Sequence, residues 1–209
     1  MEVKDEQLVK DFLSGDEAAF ELLVKKYLKP IFNFLFQMTR DKSVAEDLTQ
    51  ITFVKAWKNI HKFASRSNYF ATLHNNQKKS LAPYRTAGSG SGFKTWLYTI
   101  AKNSAYDYFK KKKTIPFSNF VDEDGNNKLE NISDGEVFPE EILMKKDAEK
   151  EMAEKLKKIP EHYQLILNMR YKDDFSFAEI AEILGRPYNT VKSQHNRALA
   201  SLKKVFLNN

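Results

Sequence analysis

The stretch "FSFAEIAEILGRPYNTVKSQHNRALASLKKVF", Phe175 to Phe206, decides the fold. Ser176 and Glu179 have the spacing of a capping box, which satisfies two free backbone N–H groups at a helix start. Phe177, Ile180, Ala181 and Leu184 follow at i, i+3, i+4 and i+7, a one-sided apolar stripe. Gly185 stands where that helix must end, because glycine tolerates the left-handed cap. After a short turn, Asn189 is placed to cap a second helix. Two helices joined in this way form a helix-turn-helix, whose second helix enters the major groove of duplex DNA.

Turning that second helix by roughly 100° per residue sorts its faces. Val191, Ala198, Leu202 and Val205 fall on one side, and Lys192, Ser193, Asn196 and Arg197 on the opposite side. Those four polar types suit base edges and phosphates. The bland alternative is an amphipathic helix with a solvated polar face, but the capped helix and turn ahead of it favour DNA. His195 falls near the apolar side and reads as a packed histidine.

The rest of the 209-residue chain is consistent with an all-α protein. Seven Gly and six Pro leave few turns, and 42% apolar residues allow a packed core. The absence of Cys removes disulfides and thiolate sites, and fits a reducing cytoplasm. The charged "MEVKDEQLVK" start carries no secretory signal or membrane span, so a cytoplasmic protein without membrane insertion is expected. Net charge is +6, too mild to identify a partner by itself.

Upstream, helices are expected over about 4–13 and 16–38, the second capped by Asp16 and kinked at Pro30. A third is expected from Ser43, where "SVAE" reads as a capping box, to about Ile60. Residues 64–92 read as irregular, and a fourth helix as 93–113. Residues 114–142 are acidic, rich in Asn and Gly and without periodicity, and read as a flexible linker. Helices resume before Pro160 and at about 161–171, 176–184 and 189–206. The expected organisation is an N-terminal helical domain over 1–113, a linker over 114–142 and a helix-turn-helix domain over 143–209.

Two N-terminal helices carry further signals. In the third, Val44, Leu48 and Ile51 form one apolar stripe and Phe53, Ala56, Trp57 and Ile60 another, with Asp47 and Gln50 between them. Such a helix is either deeply buried or presents one side to a partner. In the fourth, Phe93, Trp96, Leu97, Ile100 and Tyr108 share a core face. Thr95, Tyr98, Lys102, Tyr106 and Phe109 lie on the other side, ahead of the run Lys110 to Lys113. Exposed aromatics beside lysines stack unpaired bases and hold phosphates. Alternatively Tyr98 and Phe109 pack on a neighbouring helix, and the lysines are a solvated helix end favoured by the dipole. Both readings stay open on the residues alone.

"AEDLTQITFVKAW", "FKTWLYTIAKN" and "FSFAEIAEILGRPYNTVKS", in this order and at these separations, resemble the bacterial sigma factors of the extracytoplasmic-function group. The resemblance covers about 5–63 and 93–207. It implies a first domain that binds core RNA polymerase and opens the minus-ten promoter element, and a second that binds the minus-thirty-five element as duplex. By motif position it implies that Asp47, Leu48, Gln50 and Phe53 face the polymerase. Lys94, Asn103 and the neighbouring face of their helix, with Tyr98, Lys102 and Tyr106, would lie at the minus-ten strand. Asn189, Thr190, Lys192, Ser193, Asn196 and Arg197 would lie at the minus-thirty-five duplex. An anti-sigma factor is an expected further partner. A helix-turn-helix activator or repressor with a different N-terminal partner is the competing reading.

Two features depart from the family pattern. Gln194 stands where a basic residue is common, though its angle turns it partly toward the core. Residues 68–91, "NYFATLHNNQKKSLAPYRTAGSGS", look like an extra segment in the minus-ten recognition loop, with a tail like a flexible linker. It reads as a graft, as a natural insertion that enlarges DNA contact, or as a loop with no role. No cofactor, metal or catalytic role is expected: His61, His74, His162 and His195 are scattered, and no P-loop or nucleophile elbow is present.

Overall fold

A computed structural model describes residues 4–76, 92–112 and 146–207. The linker at 114–142 and most of the extra segment, residues 77–91, lie outside the described residues. Among the described residues, all regular structure is helical.

Helix α1 (Asp5–Leu13) starts with Asp5 and Glu6, whose charges complement the positive helix end. Asp5 also fastens it to the next helix, accepting from the Tyr27 hydroxyl and pairing with Lys26 at 3.0 Å. The chain reverses at Gly15, whose φ of +103° favours a residue without Cβ. Asp16 then caps α2 (Glu17–Thr39) by accepting from the Ala18 N–H at 3.0 Å. The helix runs through Pro30 without ending there and stops at Arg40, which takes the left-handed conformation.

Helix α3 (Lys42–Asn76) departs from expectation at both ends. Asp41 caps it by accepting from the Val44 N–H at 3.1 Å, so the "SVAE" capping box does not set the start. Its far end passes Ile60 by four turns, because no Gly or Pro interrupts residues 61–76 and Phe63 extends the buried row of Ala56 and Ile60. The segment expected to be irregular from residue 64 is therefore helical to Asn76. Buried Thr49 and Thr52 bond back to the carbonyls of Ala45 and Leu48, at 2.6 and 2.7 Å. Helix α4 (Phe93–Lys112) packs against α2 and α3 and ends in Lys110, Lys111 and Lys112.

In the C-terminal part, α5 (Lys146–Leu156) is followed by α6 (Glu161–Leu167), which ends in a π-helical turn over Asn168–Lys172. That turn replaces the expected continuous helix to residue 171. Helix α7 (Phe177–Leu184) has both hydrogen bonds of the Ser176–Glu179 capping box and a left-handed Gly185 at φ +67°, as the sequence predicts. Ser176→Ala removes one acceptor and is expected to cost about 1 kcal/mol, the usual worth of an N-cap, read as a lowered unfolding midpoint in urea. Helix α8 (Tyr188–Leu207) begins one residue before the expected cap: the Pro187 carbonyl accepts from Val191, so Asn189 lies inside the first turn.

Two apolar clusters form the interior. The smaller joins Ile159, Leu167, Ala198 and Leu202, packed by α5 side chains Met152 and Leu156. The larger spans both parts: Leu23, Phe34, Leu97 and Tyr98 are continuous with Ile166, Phe175, Ile180 and Leu184. Helix α7 packs on α4, and Tyr98 of α4 meets both Phe34 of α2 and Phe175.

Candidate nucleic-acid and partner surfaces

Helix α8 separates its side chains as a groove-reading helix must. Val191, Gln194, His195 and Ala198 are buried, while Asn189, Thr190, Lys192 and Asn196 are exposed. Ser193 and Arg197 are half-buried at the edge of this face. Gln194 accepts from the Arg186 guanidinium at 2.8 Å, so the residue that departs from the family pattern holds the turn rather than reaching outward. His195 sits between the rings of Tyr171 and Phe177, with its Nε2 3.1 Å from the Tyr171 hydroxyl. The ring is packed as expected, and burial lowers its pKa, with Asn196 opposing and Arg170 adding to the shift.

Tyr98 and Lys102, which the resemblance puts at the minus-ten strand, lie on a face of α4 that is covered, and this corrects that expectation. Tyr98 is 0% exposed, with its ring 5.0 Å from Phe34 and 4.7 Å from Phe175. The packing alternative for Tyr98 is the one the structure has. Burial, with the Asp173 carboxylate beside it, raises the Tyr98 phenol well above its ordinary pKa. Lys102 is buried too, its ammonium 4.9 Å from the Tyr106 ring, and desolvation lowers its pKa. Tyr106 is half-buried. Lys94 lies over the Phe175 ring at 4.4 Å and donates to the Asp173 carbonyl. Thr95 donates to Glu179 at 3.0 Å. The Asp173 carboxyl is pushed up to about 6 by burial, against the pull of Lys94.

Asn103 is the exposed member of that predicted group. It lines a groove of about 310 Å³ with Lys55, Asn59, Lys62, Trp96 and Ile100, between α3 and α4. Lys55 is held there by the Ser104 hydroxyl at 3.1 Å and by Asp107 at 3.4 Å. Cations beside an indole edge suit an unpaired nucleotide strand. The α3 half of this groove was not anticipated: Lys55, Asn59 and Lys62 show no motif of their own, and only their i, i+4, i+7 spacing places them on one side.

On α3, Asp47 and Gln50 are exposed but Leu48 and Phe53 are core, at 4% and 8% exposure. The expectation that Leu48 and Phe53 face a partner is therefore corrected. Their helical phase puts them against α2 and α4, and the exposed apolar residues are Ile51, Val54 and Trp57. These three continue the Asp47–Gln50 face at i+4, i+7 and i+10, a spacing visible in the sequence once the phase is fixed. Among the described residues, no helix is long and apolar enough to cross a membrane.

Residues 23–73 match the family described as Sigma-70 region 2, and residues 149–202 match Sigma-70, region 4. The chain is 28% identical to the ECF RNA polymerase sigma factor SigW of Bacillus subtilis, covering 98% of this chain and 97% of that one. It is 27% identical to the RNA polymerase sigma-H factor of Pseudomonas aeruginosa, covering 97% and 94%. Its fold is similar to CnrH, solved in complex with the cytosolic domain of CnrY, with a TM-score of 0.54 at 18% identity over 98% of each chain.

Proposed function

The chain belongs to the extracytoplasmic-function sigma factors, which direct RNA polymerase to promoters, and we propose from that membership how its surfaces divide the task. The exposed face of α8, with Asn189, Thr190, Lys192 and Asn196, reads the minus-thirty-five duplex, flanked by Ser193 and Arg197. The observation that carries this reading is the sharp partition of α8 into a buried apolar side and a polar exposed one, behind a capped helix and turn.

The groove of Lys55, Lys62, Trp96 and Asn103 takes the unpaired minus-ten strand. The α3 face of Asp47, Gln50, Ile51, Val54 and Trp57 docks core polymerase. Three working parts follow: residues 1–113, the acidic tether 114–142, and residues 143–209. The chain supplies recognition and strand opening in the cytoplasm, and the polymerase supplies the chemistry. An anti-sigma factor is a further partner, a reading supported by the fold-level likeness to CnrH in its complex with CnrY.

Lys192→Ala is expected to weaken duplex binding about equally across sequences and to reduce the salt slope of log K by about 1, as for one lost phosphate contact. A filter-binding titration at several salt concentrations reads both. The function itself is tested by run-off transcription with purified core polymerase, in which the chain is expected to confer a defined start site.

A further inference from the structure

We propose that Tyr171 and His195 are positioning residues for base recognition: the imidazole fixes the amide of Asn196 with its nitrogen outward, so that Asn196 meets a base offering a hydrogen-bond acceptor. The inference rests on the assignment of α8 to the minus-thirty-five duplex and narrows what one of its residues reads.

Three side chains form a line. The Tyr171 hydroxyl lies 3.1 Å from Nε2 of His195, and Nδ1 of the same ring lies 3.4 Å from Oδ1 of Asn196. His195 is 6% exposed and Tyr171 47%, and Asn196 is exposed on the polar face of α8. A buried ring thus links two groups at the surface. Phe177 holds it, meeting the imidazole edge-on at 4.8 Å and carrying the Arg170 guanidinium over its own ring at 5.3 Å. Arg170 in turn donates to the Phe175 carbonyl at 3.1 Å. Tyr171 stands on the π-helical turn of Asn168–Lys172, closed by the Asp173 N–H on the Asn168 carbonyl at 3.0 Å. Turns of this kind recur at functional sites.

Donors and acceptors fix the order of the line. Asn196 turns its amide oxygen to Nδ1, and that oxygen only accepts, so Nδ1 carries a proton. Burial lowers the pKa of the imidazole, and a neutral ring has one proton, so Nε2 accepts and the Tyr171 hydroxyl donates to it. The Asn196 amide nitrogen, with its two N–H donors, is then the end left for a base edge. In the major groove guanine presents O6 and N7, adenine N7 and thymine O4 as acceptors, whereas cytosine presents its N4 donor. Asn196 held in this way favours a purine or thymine over cytosine. An amide free to rotate turns its oxygen to cytosine equally well and does not discriminate.

The tautomer is read by long-range proton–nitrogen correlation spectra of the imidazoles in the full chain. His195→Gln removes, and so assigns, one of the four histidine signals. His195 is expected in the Nδ1–H form in the wild type and as a mixture in Tyr171→Phe, which loses only the hydroxyl. Base preference is read by selecting from a random duplex library with core polymerase carrying the chain. Asn196→Ala marks the base pair that Asn196 meets, as the position where preference is lost. There the wild type is expected to disfavour cytosine by about fivefold, the discrimination that one hydrogen bond supplies, and Tyr171→Phe to shrink this to about twofold with other positions unchanged.

An Nε2–H tautomer or a preference for cytosine in the wild type overturns the proposal. So does a Tyr171→Phe selection identical to the wild type, and each of these results leaves the promoter-recognition reading standing. A selection in which Asn196→Ala changes no position overturns the proposal together with the assignment of Asn196 to a base.

Discussion

Phe175→Ala is expected to destabilise the chain by about 3–5 kcal/mol, the range for a fully buried Phe truncated in a core that cannot collapse around the cavity. Phe175 is 1% exposed and lies in the apolar cluster that runs from Leu23 and Phe34 to Ile180 and Leu184. Its ring meets Tyr98 edge-on at 4.7 Å, with the two planes at 77°, the arrangement that aromatic quadrupoles favour. A double-mutant cycle of Phe175→Ala with Tyr98→Ala is expected to show about 0.5–1.5 kcal/mol of coupling beyond burial. Urea unfolding of the four proteins measures both quantities. A coupling of zero would mean that the two rings do not meet in solution, and the joint core of the two parts would fall with it.

Trp57→Ala is expected to lower affinity for core polymerase by about 30-fold, equivalent to about 2 kcal/mol, the threshold for an interface anchor. The same change is expected to leave folding stability within about 0.5 kcal/mol, since a surface substitution away from buried features costs little. Trp57 is 53% exposed and shares its face with Ile51 and Val54, beside Asp47 and Gln50. Phe53→Ala is the informative contrast. Phe53 is core, so its loss is expected to lower stability by about 3–5 kcal/mol, and to weaken polymerase binding only through that loss. Surface plasmon resonance with immobilised core enzyme, alongside urea unfolding, separates the two residues. If Phe53→Ala weakened binding while folding stayed intact, the helical phase assigned to α3 would be wrong.

What could be read from the sequence follows the range of the forces involved. The capping box of Ser176 and Glu179 and the left-handed Gly185 are local, set by residues within a few positions, and both are present as expected. The burial of Gln194 and His195 also follows from angle alone, because α8 has one wide apolar face. The phase of α3 was harder. With apolar residues on two sides, periodicity does not say which side meets α2 and α4, and Leu48 and Phe53 were placed outward when they are core. The length of α3 was underestimated: residues 64–76 read as irregular although no Gly or Pro in 61–76 breaks the helix.

The packing of the C-terminal part on α4 is the least local feature. It depends on Tyr98 meeting Phe175, 77 residues later, and on Thr95 meeting Glu179, 84 residues later. An amphipathic reading of α4 alone marks Tyr98 as an aromatic off the main core face and stops there. Whether such a ring stacks on a base or on another helix is decided by a partner that helical periodicity does not contain.

The most direct measurement is run-off transcription from a random promoter library with purified core polymerase, with and without the chain. The account predicts transcripts with defined starts only when the chain is present, enriched for two sequence elements, and lost on Asp47→Ala with Gln50→Ala. A chain that binds duplex DNA yet neither associates with core polymerase nor yields any such transcript would contradict it, and would identify a helix-turn-helix regulator of another kind.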